Sequence, residues 1–140
     1  MSVRVARISE APIELAEHVA SVSDGTAGAV SVFLGTVRDS DPDASGEVVA
    51  LEYTAHPDAE AVLARLAAEA DGPDLLIAVS HRVGRLGVGE NAVVIAVSSG
   101  HRDDAFVACR RLIESIKVEL PVWKRQIEAD GSTAWKGLGG

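Results

Sequence analysis

The sequence has 140 residues, 47% of them hydrophobic, which suits one domain with a real core; no apolar run approaches the ~18 residues of a membrane helix. A net charge of −8 argues against general nucleic-acid binding, which needs a basic footprint. The one cysteine, Cys109, can form no internal disulfide, and the four scattered histidines show no metal-ligand spacing.

In chain order, VRVARI (3–8) alternates and predicts a short strand. APIELAEHVASV (11–22) predicts a helix, with Pro12 suited to its first turn. SDGTAG (23–28) reads as a loop, and AVSVFLGTVR (29–38), rich in β-branched residues, as a strong strand. DSDPDASGE (39–47) holds turn and acidic residues, and predicts a mobile loop or one that orders on binding. VVALEYTA (48–55) is a further strand. Pro57 opens a helix over PDAEAVLARLAAEA, and Gly72 and Pro73 close it. LLIAVSHR (75–82) reads as a buried strand, VGRLGVGEN (83–91) with its three glycines as a turn, and AVVIAVSS (92–99) as the returning strand. A helix follows over 103–120, with Phe106, Cys109, Leu112, Ile113, Ile116 and Leu120 on one apolar stripe, so Cys109 is expected to be a buried thiol. Pro121 ends it. VWKRQIEA (122–129) is a last long strand, and Asp130-Gly131 could turn tightly into STAWK (132–136).

The order β-α-β-β-α-β-β-α-β-β, with short turns, predicts one α+β domain over 1–140, built on a largely antiparallel sheet with about three helices. Residues 131–140 are expected to form a flexible tail. GRLGVG lies between two strands and does not precede a helix, so a dinucleotide fold is disfavoured. The first 20 residues carry acids where a signal peptide needs an apolar stretch, which predicts a soluble cytoplasmic protein. Acidic residues gather in 39–47 and 58–74, basic ones in 81–85, 101–111 and 117–125. This reads as an acidic body with a local basic site that would steer anions.

Four stretches could carry chemistry. SSGHRDDAF (98–106) runs from a strand into a helix N-terminus, whose unpaired amides suit phosphate, and His101 and Arg102 add donors; it could equally be a capped helix with exposed polar residues. SIKVELPVWKR (115–125) carries Lys117 at the border of an apolar helix stripe and Lys124 in the next strand, with Pro121 between them. These are either two solvated charges or two cations from different elements aimed at one anion. In FLGTVRD (33–39), Arg38 ends a strand before the acidic loop, and Phe33 is read as core. In HRVGRLGVGE (81–90) a scaffold role is favoured, with Glu90 pairing to Arg82. No Ser-His-Asp or Cys-His nucleophile pattern stands out. The chemistry alone stops at a pocket for a phosphorylated or carboxylated ligand.

FLGTVRD, HRVGRLGVGE, SSGHRDDAF and KVELPVWKR, with a trailing WKG, occur in the order and approximate spacing of the large, catalytic subunit of molybdopterin synthase, which the chain resembles over roughly residues 28–137. The resemblance implies an α/β hammerhead fold and a homodimer of large subunits. Each would bind one small ubiquitin-like sulfur-carrier subunit, giving a heterotetramer. It implies a sulfurtransferase of molybdenum cofactor biosynthesis. Sulfur passes from the carrier's C-terminal Gly-Gly thiocarboxylate to cyclic pyranopterin monophosphate (precursor Z), and two transfers make the dithiolene of molybdopterin. The large subunit itself would need no metal or cofactor. By position, Lys117 and Lys124 match the family's catalytic lysines. Arg38, His101 and Arg102 match its substrate-pocket residues, and Phe33 a pocket-lining aromatic. Some members carry a further basic residue shortly after the C-terminal Trp; here Gly137–Gly140 follow Lys136, which is the candidate substitute. The terminal GLGG looks superficially like a sulfur-carrier tail, but no ubiquitin-like body accompanies it. The competing reading is a carrier-binding or anion-binding α+β module without turnover.

Overall fold

The computed structural model describes residues 2–41, 44 and 46–138. Eight strands and three helices follow in the order β1 (Val3–Ser9), α1 (Leu15–Ser21), β2 (Ala29–Thr36), β3 (Val48–Ala55), α2 (Ala59–Ala70), β4 (Leu76–Arg82), β5 (Gly84–Gly87), β6 (Asn91–Ser99), α3 (Arg102–Glu119), β7 (Val122–Glu128) and β8 (Thr133–Gly137). The strands divide between two four-stranded sheets, ordered β1-β4-β6-β2 and β5-β3-β7-β8. Among the described residues only the β1–β4 pair is parallel. The class is therefore α+β and mostly antiparallel, as expected.

β6 is the axis of the first sheet. Every residue from Ala92 to Ser99 is buried, because α3 packs on this sheet and α1 packs on it too. A strand covered on both faces reads as a continuous apolar run rather than an alternation, which is what AVVIAV shows. α2 lies on β1 and α3, burying Leu63 and Leu66. One apolar core runs between the sheets, joining Ile77, Val79, Ile95 and Val97 of the first to Val48, Leu51, Tyr53 and Leu86 of the second. Gly35 leaves room for the Val93 side chain where β2 meets β6: a Cβ there would sit 2.5 Å from Val93 Cγ1.

Four expectations need correction. Residues 84–87, read as part of a turn, form β5, which pairs with β3 from Tyr53↔Gly84 to Ala50↔Gly87. Leu86, 0% exposed, anchors it, so tertiary packing overrides two glycines of low strand propensity. α1 starts at Leu15, not at 11. Pro12 and Ile13 stay outside it because Ile13 is buried and its carbonyl accepts a hydrogen bond from Asn91 Nδ2 at 3.1 Å. The expected flexible tail is instead an edge strand over Thr133–Gly137, paired to β7, and Leu138 beyond it is buried in the core. Residues 139 and 140 lie outside the described residues. Finally, the α3 stripe holds for Cys109, Leu112, Ile113, Ile116 and Leu120, but Phe106 is 57% exposed. At that end the helix lies over β2, the last strand of its sheet.

The 39–47 segment is tethered at several points. Val48 N–H donates to the Asp39 carbonyl at 2.9 Å, Ala44 N–H to that of Asp41 at 3.0 Å, and Gly46 N–H to Glu128 Oε1 at 2.6 Å. Residues 42, 43 and 45 lie outside the described residues.

Candidate active site

A cavity of about 290 Å³ opens where the ends of β2 and β4 and the start of β6 meet the inner face of the second sheet. Arg38, Asp41, Tyr53, His81, Lys117 and Lys124 line it. Each arrives by a local rule. Ile113, Ile116 and Leu120 bury one side of α3, and Lys117 sits beside that stripe, one turn after Ile113. Leu120 is already extended, so Pro121 redirects the chain into β7. There Val122, Gln126 and Glu128 are buried while Trp123 is exposed, and alternation places Lys124 on the buried side. Directly paired residues share a face, so Tyr53, Lys124 and Lys136 form one row across β3, β7 and β8.

The sequence holds three lysines, at 117, 124 and 136. All three are drawn to this one place. Lys136 pairs with Asp41 at 3.6 Å, both side chains largely buried. Burial pushes the Lys124 ammonium below its ordinary range, the Asp41 carboxylate opposes this, and Arg38 and Lys136 add to the lowering. Lys117 is also lowered, by desolvation first and then by the charge of Lys124. Lys117 is an exposed residue by area, so its lowering reflects crowding around the ammonium at the cavity rather than a dry interior. Lowering by neighbouring cations marks charges held close together, a site made for an anion.

His81 and Tyr53 form the polar floor. Burial pushes the Tyr53 hydroxyl up to about 12, so it stays a donor. Burial, helped by the Lys117 charge and opposed by a hydrogen bond to the Arg82 carbonyl, pushes His81 down to about 4. The stability consequence has a definite sign. The folded value lies below the ordinary 6.5, so the unfolded chain takes up the proton first as pH falls. Stability held by the neutral ring is fully present above about pH 6.5 and is lost as pH falls through about 4, a span worth about 3 kcal/mol. A His81→Phe variant should therefore lose less stability than the parent over that window, measured by urea midpoints at both ends.

The other expected site residues are not in this cavity. Phe33 is half-buried on β2 and lines a separate apolar hollow with Phe106, Cys109 and Ile113. His101 and Arg102 are exposed at the N-terminus of α3. The helix rises ~1.5 Å per residue, which puts Arg102 about 22 Å from Lys117. Ser98 is tied inward, its hydroxyl donating to the Val22 carbonyl at 2.6 Å, and Ser99 is 2% exposed, so neither extends an anion site at that helix end. Arg82 pairs with Glu90 at 2.7 Å as the sequence suggested. Sequence reasoning missed His81, Tyr53 and Asp41 as neighbours of the site, whereas Lys136, the candidate substitute, does lie beside it through Asp41. For His81 a signal was present: with period two it shares the face of Ile77 and Val79.

Among the described residues no group of three His, Cys, Asp or Glu is placed to hold a metal ion, and no helix is long and apolar enough to cross a membrane. A family model described as MoaE protein matches residues 8–119. The chain belongs to the MoaE protein family. A molybdopterin synthase catalytic subunit of Thermoplasma volcanium is 42% identical over 132 residues, covering 91% of this chain and 94% of its own length. The crystal structure of molybdopterin synthase from Staphylococcus aureus matches with a TM-score of 0.85 and 37% identity over 93% of this chain and 95% of its own. A Helicobacter pylori structure, described as a complex of subunits 1 and 2 of molybdopterin-converting factor, shares the fold at a TM-score of 0.66 with 19% identity, over 79% of this chain and 72% of its own. MoaE family membership thus rests on most of the chain, residues 8–119, which include Arg38, His81 and Lys117.

Proposed function

We propose that this chain is the catalytic subunit of a molybdopterin synthase, a cytoplasmic sulfurtransferase. It takes sulfur from the C-terminal Gly-Gly thiocarboxylate of a small ubiquitin-like carrier subunit and delivers it to cyclic pyranopterin monophosphate. The observation that carries this reading is the meeting of Lys117, Lys124 and Arg38, from three separate segments, on one cavity. Precursor Z is anionic, and attack by a thiocarboxylate develops more negative charge. Preorganised cations stabilise that charge without reorganising at the moment of reaction. Lys117, at the cavity edge, serves the carrier tail and the tetrahedral intermediate. Lys124 and Arg38 hold the phosphate and oxygens of the pterin, with Lys136 next to them in register. The subunit supplies cations and hydrogen-bond donors and calls on no resident cofactor.

The separation along α3 gives the proposed homodimer a purpose. His101 and Arg102 cannot reach the Lys117 cavity of their own chain. They serve the substrate bound by a second copy, with Phe33 lining the apolar surface between. A mixed dimer of one Lys117→Ala chain and one Arg102→Ala chain should then recover about half of the parent activity, because one of its two sites has every group intact. Each variant dimer alone should stay impaired, and equal activity in the mixed and unmixed samples would contradict the shared site. The function itself is tested by mixing the protein with thiocarboxylated carrier and precursor Z and detecting the dithiolene by mass. Carrier binding without product would favour the carrier-binding module, and neither binding nor product would remove the family reading of the site.

A further inference from the structure

The charges on the cation cavity are not all of one sign. Among the described residues its lining holds three cations, Arg38, Lys117 and Lys124, and one carboxylate, Asp41. The other polar side chains of the lining are Thr36, Ser40, Tyr53, His81 and Gln126. These are neutral at physiological pH, with burial pushing the Tyr53 hydroxyl up to about 12 and the His81 ring down to about 4. Asp41 is therefore the group of the lining that repels an anion.

Its place is well defined. Asp41 Oδ1 stands 3.6 Å from Lys136 Nζ, and the two side chains are 12% and 17% exposed. Lys136 pairs in register with Lys124, so the carboxylate belongs to a group of four cations contributed by the segment after β2, by α3, by β7 and by β8. The backbone that carries it is tied down close by, where Val48 N–H donates to the Asp39 carbonyl at 2.9 Å. The Asp41 charge also reaches Lys124, where it acts against Arg38 and Lys136. An ion pair that only braced the fold would not need to lie on the wall of a ligand cavity. Here every negative charge on an entering ligand meets a carboxylate as well as the cations. Coulomb repulsion grows in proportion to the ligand's charge, whereas the neutral donors and acceptors of the lining do not sort ligands in this way. A built-in repulsive group is one of the two routes to specificity, the other being better contacts to the right ligand.

We propose that Asp41 is a specificity-determining residue: it lets the cation cavity take an anion of low charge, a phosphodiester or a carboxylate, and turns away phosphomonoesters and polyphosphates. Four cations without it would hold any polyphosphate that reached them. The proposal rests on the sulfur-transfer reading for its choice of substrate alone. A cyclic monophosphate is a diester with a single ionised oxygen, and the carrier tail brings one further charge.

The test titrates the full chain, labelled with 13C-lysine, with dimethyl phosphate, methyl phosphate and pyrophosphate, in order of rising negative charge. The pH is held at about 8, where a phosphomonoester is fully ionised. The Cε signals of the three lysines report binding. Asp41→Asn keeps the shape of the side chain and removes its charge. It should bind dimethyl phosphate about fivefold more tightly than the parent does, and the gain should multiply with each further ligand charge, to on the order of a hundredfold for pyrophosphate. An equal gain for all three probes, no gain, or a loss would overturn the proposal and leave Asp41 a structural partner of Lys136. So would the failure of every probe to move a lysine signal in either protein. If Asp41→Asn does not fold, Asp41→Ser removes the same charge and is read in the same way. The probes need no sulfur donor. A flat response alongside dithiolene formation would remove the charge selection alone, and a graded response without dithiolene would remove the sulfur-transfer reading alone.

Discussion

Replacing Lys117 with Ala lowers the rate of dithiolene formation by about 10²–10³-fold while leaving the affinity for the small carrier subunit unchanged. The size follows from the position. Removing one preorganised donor from a developing oxyanion costs about 3–4 kcal/mol of barrier in comparable sites. Lys117 stands in a cavity where its ammonium is already partly stripped of water and repelled by Lys124, so its charge is held ready for an anion. The fold should tolerate the change, because Lys117 is exposed by area and Ala favours a helix. The carrier should still dock, because one ammonium is a small part of a protein–protein surface. Single-turnover assays with thiocarboxylated carrier, alongside calorimetric binding of the same carrier, separate the two quantities. Equal rates for variant and parent would remove Lys117 from the mechanism.

Leu86→Ala should cost about 2–5 kcal/mol of stability, the usual range for a leucine truncated in a core that cannot collapse around it. Leu86 is 0% exposed and belongs to the core shared by both sheets. It is the single large apolar side chain of β5, whose other residues are Gly84, Arg85 and Gly87. Losing it removes the reason for β5 to lie on β3, and β3 is the strand that registers Tyr53 against Lys124. The effect should therefore appear twice. The melting temperature should fall by roughly 8–20 °C, taking about 4 °C per kcal/mol for a domain of this size. Activity at low temperature should also drop, because the second sheet no longer holds Lys124 against the cavity. A melting temperature within about 2 °C of the parent would mean that β5 contributes little to the core.

The two cases show where the sequence was legible. Lys117 and Lys124 could be paired by reasoning because Pro121 forces a change of element between them and each residue has an apolar pattern around it. The helices and long strands were legible for the same reason: their periodicity is set by one dominant face. β5 was not, because a four-residue strand with two glycines has no period to read, and its existence depends on β3, more than thirty residues earlier in the chain. The place of Phe106 was not legible either. Periodicity puts it on the buried stripe, but the sheet beneath the helix ends at β2, and sheet order is not written in any local window. The same holds for His101 and Arg102. Their chemistry suits an anion, and only the length of α3 shows that they cannot share the Lys117 cavity within one chain. His81 was legible in part: alternation from Ile77 and Val79 points it to the core side, while its place on the cavity that Lys117 also lines depends on how the two sheets pack.

A 13C-lysine spectrum of the full chain, whose three lysines give three Cε signals, offers the most direct measurement of the claim that the cation cavity is the reaction site. Precursor Z should be added to the lysine-labelled protein and the Cε signals followed to saturation. The signals of Lys117 and Lys124 should move together with one affinity, and the Lys117 signal should move again when the carrier subunit is added. Saturable binding of precursor Z by calorimetry with all three lysine signals unmoved would place the substrate elsewhere on the chain and contradict the assignment.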